Sequence, residues 1–83
     1  MENKYLLTFV STHDAISAEK KLSQYIKTTI RPTPREITAS CGISIEIRDL
    51  DFCMENSLLG RIPIYKVYKY EDGRFIETDI LKE

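Results

Sequence analysis

The chain has 83 residues, 42% of them apolar and 30% charged, and carries a formal net charge of −1. That length admits one hydrophobic core, burying roughly 60–70% of the unfolded surface, and the near-neutral charge gives no electrostatic reason to expect nucleic acid or an anionic membrane as partner. No apolar stretch is long enough for a signal peptide or a membrane span, so the expectation is one domain over residues 1–83, kept in the cytoplasm with its thiols reduced.

Lys4 to Val10 reads as a first strand, with only Thr8 polar among Tyr5, Leu6, Leu7, Phe9 and Val10, a pattern that predicts burial on both faces. Ser11 is placed to cap a helix, with Asp14 three residues on as a short capping-box acid. Ala15, Ala18, Leu22, Tyr25 and Ile26 follow at helical spacing, which predicts an amphipathic helix from about Thr12 to Tyr25. Thr28 to Arg31 is short and β-prone, and Pro32 and Pro34 end it.

Ile43, Ile45 and Ile47 alternate with Ser44, Glu46 and Arg48, the mark of a strand with one buried face. Asp49 can cap a second helix through Leu50, Phe52, Cys53, Met54, Ser57 and Leu58, stopped at Gly60 and Pro63. Ile64 to Tyr70 is a further strand, and the Asp72-Gly73 turn predicts that Phe75 to Ile80 folds back on it as a hairpin. The order is α+β: a ferredoxin-like βαββαβ two-layer sandwich with an added C-terminal hairpin strand. In this reading the strand after Cys41 runs parallel to the first one, which puts Cys41 at the edge opposite the start of the first helix.

Cys41 is the residue with most chemical content. It lies in the run Pro32-Thr33-Pro34-Arg35-Glu36-Ile37-Thr38-Ala39-Ser40-Cys41-Gly42, a loop leading into a strand, where reactive groups are commonly displayed. A thiol with pKa near 8.5 is only about 3% thiolate at pH 7, and lowering the pKa to ~6.5 raises that to about 75%. Arg35, Arg31, the backbone N–H groups of the Ser40-Cys41-Gly42 turn and the first helix's N-terminus are the available sources of such a shift. Gly42 leaves room for a bulky sulfur-bound group, and the prolines stiffen the loop. The residues themselves leave two readings open: a thiolate that carries something covalently, or a small buried residue at a strand entry.

The remaining candidates are sparse. His13, the single histidine, is either a solvent-facing residue of the first helical turn or a partner of the thiol. Cys53, among Leu50, Met54 and Leu58 at helical spacing, reads as core, and no Cys41–Cys53 bridge is expected in a reducing compartment. No metal or other cofactor is expected, because two cysteines and one histidine at these separations fall short of a zinc site. Tyr65, Tyr68 and Tyr70 alternate with Lys66 and Lys69, but Ile43–Arg48 lacks the aromatics of an RNA-stacking sheet.

Two segments together carry a resemblance: Tyr5-Leu6-Leu7-Thr8-Phe9-Val10-Ser11-Thr12-His13-Asp14-Ala15, and Pro32-Thr33-Pro34-Arg35-Glu36-Ile37 with Ser40-Cys41-Gly42. The chain resembles the putative Se/S carrier protein-like family from roughly Lys4 to Tyr70. The resemblance implies Cys41 as the carrier thiol for a persulfide or selenopersulfide, with Arg35 and His13 as its helpers. Ser11 and Thr12 fall on the first family motif, and Pro34, Ser40 and Gly42 on the second, as substrate- or anion-binding positions. It implies a carrier more than a stand-alone enzyme, with a cysteine desulfurase or a selenium-metabolism protein as donor or acceptor. Glu71 to Glu83 extends past the family's usual end. Homodimer contacts of such a carrier are expected along an unpaired sheet edge. Two other functions compete with the carrier: a non-catalytic ferredoxin-like interaction or dimerisation module, with the Pro32-Thr33-Pro34-Arg35 loop as its recognition surface and Cys41 as a packing residue, and a small thiol redox protein.

Overall fold

The structure is a computed structural model that describes residues 4–37, 42–48, 50–55, 60 and 62–78, the side chains of 51 and 54 apart. Its elements are β1 (Lys4–Thr8), α1 (Thr12–Leu22), β2 (Thr29–Pro32), β3 (Ile43–Ile47), α2 (Leu50–Glu55), β4 (Lys66–Glu71) and β5 (Arg74–Thr78). The five strands form one antiparallel sheet in the order β2-β3-β1-β4-β5. This α+β architecture is compatible with a ferredoxin-like sandwich extended by a fifth strand.

One expectation is overturned. β3 pairs antiparallel with β1, Tyr5 opposite Ile47 and Leu7 opposite Ile45. The reason lies in the connections. β2 and β3 form a hairpin and are necessarily antiparallel. The β1-α1-β2 crossover makes β1 and β2 parallel, so a strand inserted between them opposes both. The start of β3 therefore lies at the same end of the sheet as the end of β1 and the start of α1.

The two faces of the sheet are covered differently. On one, Leu7, Phe9, Ile45, Ile47 and Val67 share a buried cluster with Ala15, Ala18 and Leu22 of α1 and Leu50 and Cys53 of α2. Cys53 is a fully buried thiol, as its helical spacing predicts. On the other face Leu6 and Tyr68 are covered by Ile37 from the β2–β3 loop, and Phe75 packs beside them. Burial of β1 on both faces follows from this: Leu6, Leu7, Thr8 and Phe9 are all inaccessible. Thr8 is satisfied within the core, donating to the Lys66 carbonyl at 3.0 Å and accepting the Lys66 N–H at 3.1 Å.

Several element ends differ from the sequence pattern. β1 stops at Thr8, and Val10, expected within its buried run, is exposed. α1 stops at Leu22, and the N–H groups of Tyr25 and Ile26 both bond the Leu22 carbonyl at 2.9 Å. That tight turn returns Ile26 to the core and leaves Tyr25 half exposed, so Tyr25 is not on the buried stripe. β4 begins at Lys66, because Pro63 sits in a turn closed by the Ile64 N–H on the Ile62 carbonyl. Asp49, Ser57, Leu58 and Ile80 lie outside the described residues.

The β4–β5 hairpin forms as its turn residues require. Asp72 and Gly73 have φ of 52° and 78°, the left-handed pair of a two-residue type I′ turn, and Glu71 faces Arg74 across it. At the opposite edge, the Thr33 N–H bonds the Gly42 carbonyl at 3.0 Å, so alternate residues of β2 point their hydrogen-bonding groups inward. Ile30 and Pro32 then face outward, and proline has no N–H to donate. This edge is a poor template for another strand.

Candidate functional site

The end of the sheet where β1 finishes and β3 starts gathers both sequence motifs. β1 passes into the first motif through Val10, and Ser11 caps α1 in an extended conformation (φ −138°, ψ 159°). Its Oγ accepts the Asp14 N–H at 3.1 Å, and its carbonyl accepts the Ala15 N–H at 3.1 Å. The Ser11 hydroxyl is thus engaged in holding the helix start. Thr12 and His13 stand exposed in the first turn. Ser11→Ala is expected to lower stability by about 1 kcal/mol; an unchanged urea midpoint would show that the cap contributes nothing.

The second motif forms the β2–β3 loop, and its neck is closed twice. The Thr33–Gly42 backbone bond closes it once, and Thr33 Oγ1 meets Ser44 Oγ at 2.6 Å. Beyond the neck the Pro34 carbonyl accepts the Ile37 N–H at 3.1 Å, which makes Pro34-Arg35-Glu36-Ile37 a β-turn with proline at its first position. Arg35 stands at the exposed tip, and Ile37, only 6% exposed, is pressed onto Leu6 and Tyr68. The loop is consequently tied down at Ile37 before Ser40 and Cys41 are reached. Ser40 and Cys41 themselves lie outside the described residues, as does any Cys41–His13 geometry.

Gly42 is exposed, and a Cβ added there would meet nothing within 4 Å. Among the described residues neither crowding nor backbone conformation demands glycine at this position.

Electrostatics alters one candidate. Arg31, opposite Ser44 in the register, is ion-paired with the buried carboxylate of Glu46, which is also 3.8 Å from Arg48 Nε. Arg31's charge is already offset there, which leaves Arg35 as the arginine of the loop itself. At the same sheet end the Tyr65 N–H bonds the Thr8 carbonyl at 2.8 Å. Lys66 follows, and the neighbouring Glu77 carboxylate, 3.4 Å from Nζ, raises its pKa above the ordinary lysine value. Val10 and Tyr65 form exposed apolar points beside this end.

Sequence reasoning missed Thr33, Ser44 and Ile37 as parts of the loop's scaffold. The signal for Ile37 was present, as an isolated apolar residue in a polar loop. What it would cover was not, because the second face of the sheet is assembled from strands far apart in sequence.

The fold and this end of it define a small α+β protein in which the neck of the β2–β3 loop lies at the sheet end where α1 starts. The sequence profile of the family described as Putative Se/S carrier protein-like matches residues 4–69. The chain belongs to that family. β5 lies beyond the matched region and caps the β4 edge with a strand of its own. No curated protein and no solved structure matches the chain. Among the described residues no helix is long and apolar enough to cross a membrane.

Proposed function

We propose that the chain is a sulfur or selenium carrier whose Cys41 thiolate holds a sulfane atom between a donor and an acceptor. Cys41 attacks the outer sulfur of a donor persulfide, the donor's S–S bond breaks, and the donor leaves as a thiolate. The sulfane sulfur moves without change of oxidation level, so no external oxidant or reductant enters the step. Selenium would travel the same way as Cys-S-Se⁻. The acceptor's nucleophile then takes the terminal atom and releases Cys41.

Family membership points to this chemistry, and the observation that carries the reading further is the antiparallel β1–β3 register. It brings the neck of the Cys41 loop to the sheet end where Ser11, Thr12 and His13 begin α1. Residues 1–83 would act as one domain of this kind in the cytoplasm, docking a cysteine desulfurase or a selenium-metabolism protein over exposed Val10 and Tyr65. A carrier has to expose its thiol and be recognised by two partners, and a tethered surface loop meets that need better than a deep pocket. Ser40, Gly42 and Pro34 would shape the loop around the terminal anion, and Thr12 and His13 would face it from the helix start. Copies of the chain would meet at the outer edge of β5, since Pro32 blunts β2.

Arg35 would stabilise the thiolate and the persulfide anion. Arg35→Ala is expected to slow alkylation of Cys41 by iodoacetamide at pH 7 several-fold and move its pH profile upward, since losing a nearby cation raises a thiol pKa. An unchanged profile would remove Arg35 from the mechanism. The carrier reading itself is tested by intact mass after incubation with a cysteine desulfurase and cysteine, then selenocysteine. An adduct on Cys41 supports it, and no adduct with a competent desulfurase favours the interaction-module reading.

A further inference from the structure

We propose that Arg31 and Glu46 are positioning residues for sulfur transfer: their ion pair latches β2 onto β3 and so holds the strand that leads into the Cys41 loop. The inference rests on the carrier reading of Cys41 and adds to it how the loop is presented. Every residue of β2 is exposed, which holds for no other strand of the sheet. From Lys27 to Glu36 no side chain is buried. The chain is anchored in the core at Ile26 before β2 and again at Ile37 after it. Between those anchors apolar burial, the usual source of strand attachment, contributes little.

Polar contacts hold the strand instead. At the loop's neck the Thr33 N–H bonds the Gly42 carbonyl, and Thr33 Oγ1 meets Ser44 Oγ. Farther back along β2, Arg31 Nε reaches diagonally to the Glu46 carboxylate. Glu46 is 6% exposed, whereas Arg31 is 52% exposed. Removing one partner from a buried charge is costly, because the charge left behind is neither hydrated nor paired. Lifting β2 off β3 would take Arg31 away from Glu46. Arg48, 3.8 Å from the second carboxylate oxygen, follows β3 directly and does not travel with β2. Arg31 is therefore the charge through which the burial of Glu46 resists opening of the strand.

A positioning pair acts through loop order and leaves the chemistry of the thiol alone. Arg31's charge is offset by Glu46, so its loss should not change the acidity of Cys41. A partner that meets an ordered loop does not have to order it at each encounter. Release of β2 should therefore weaken productive docking of a donor and leave the thiol's pH profile where it was. That outcome separates Arg31 from Arg35, whose loss should move the profile.

The test is amide exchange of the full chain, read at positions 29, 31 and 33, whose N–H groups point toward β3. Arg31→Ala, a change at a half-exposed site, should accelerate exchange there about tenfold, the scale of a charge-assisted hydrogen bond discounted for solvent screening. Exchange in α1, β1 and β4 should stay as it is, since only β2 is released. Glu46→Gln should have the same effect on β2, and the double variant should add little, because the two residues act as one latch. The pH profile of Cys41 alkylation should not move in Arg31→Ala. The donor concentration for half-maximal sulfur transfer should rise several-fold at an unchanged maximal rate. Unchanged exchange in β2, additive effects of the two substitutions, or a shifted alkylation profile would each overturn the proposal. Exchange needs no donor, so a wild-type chain that takes up no sulfur would sink the carrier reading with the latch still measurable.

Discussion

Cys41→Ser is expected to abolish the gain of about 32 Da that the wild-type chain should show after incubation with a cysteine desulfurase and cysteine, and the gain of about 79 Da with selenocysteine. The substitution replaces one small polar side chain by another in a loop, so the fold should survive with an unchanged unfolding midpoint. The loss is expected to be complete because a serine hydroxyl does not exchange with a persulfide, whereas a thiolate does. Cys53 is the internal control. It is fully buried on α2 in the core shared with α1 and the sheet, out of reach of a donor protein, and Cys53→Ala should keep the adduct. Equal adduct formation by the Cys41→Ser protein would sink the carrier reading.

Ile37→Ala should have the largest effect on the scaffold of the site. Ile37 is 6% exposed and covers Leu6 and Tyr68 on the face of the sheet opposite the one that packs against α1 and α2. Truncating a buried isoleucine costs about 2–4 kcal/mol from lost burial and the cavity left behind. At this position the loss falls on a loop, so part of it should appear as local release. Amide exchange should accelerate at Ile37 and at the Thr33–Gly42 neck while α1 stays protected. Sulfur transfer should slow too, because a released loop must be ordered again at each encounter with a partner. A variant with the wild-type urea midpoint and unchanged loop exchange would show that Ile37 does not tether the loop.

Much of the architecture was readable from local pattern. Alternation in Ile43–Ile47, the Ser11 cap with Asp14, and the Asp72-Gly73 turn each specify backbone geometry within a few residues, and each element appears where the pattern puts it. Ser44 and Glu46 are buried too, however, so β3 is covered on both faces and not on one. The helix end was misread at Tyr25 because its apolar character fits the stripe, while the turn that expels it depends on where Ile26 must land in the core. Glu46 is the opposite case. Its polarity suggests a solvent-facing position, yet Arg31 and the neighbouring chain enclose it, a diagonal pairing that exists only once β2 and β3 are in register.

The amino-acid sequence by itself determined the elements, their order and the family, because these follow from short-range periodicity, turn chemistry and two motifs. Tertiary structure alone decided that β3 opposes β1 and so brings the two motifs to one end of the sheet. It alone decided that Ile37 ties the thiol's loop to the second face, and that Arg31 is held by Glu46 away from that loop. The physical reason is the same throughout. Strand direction, loop anchorage and diagonal ion pairs are relations between segments distant in sequence, set by crossover topology and mutual burial, and no single segment encodes them.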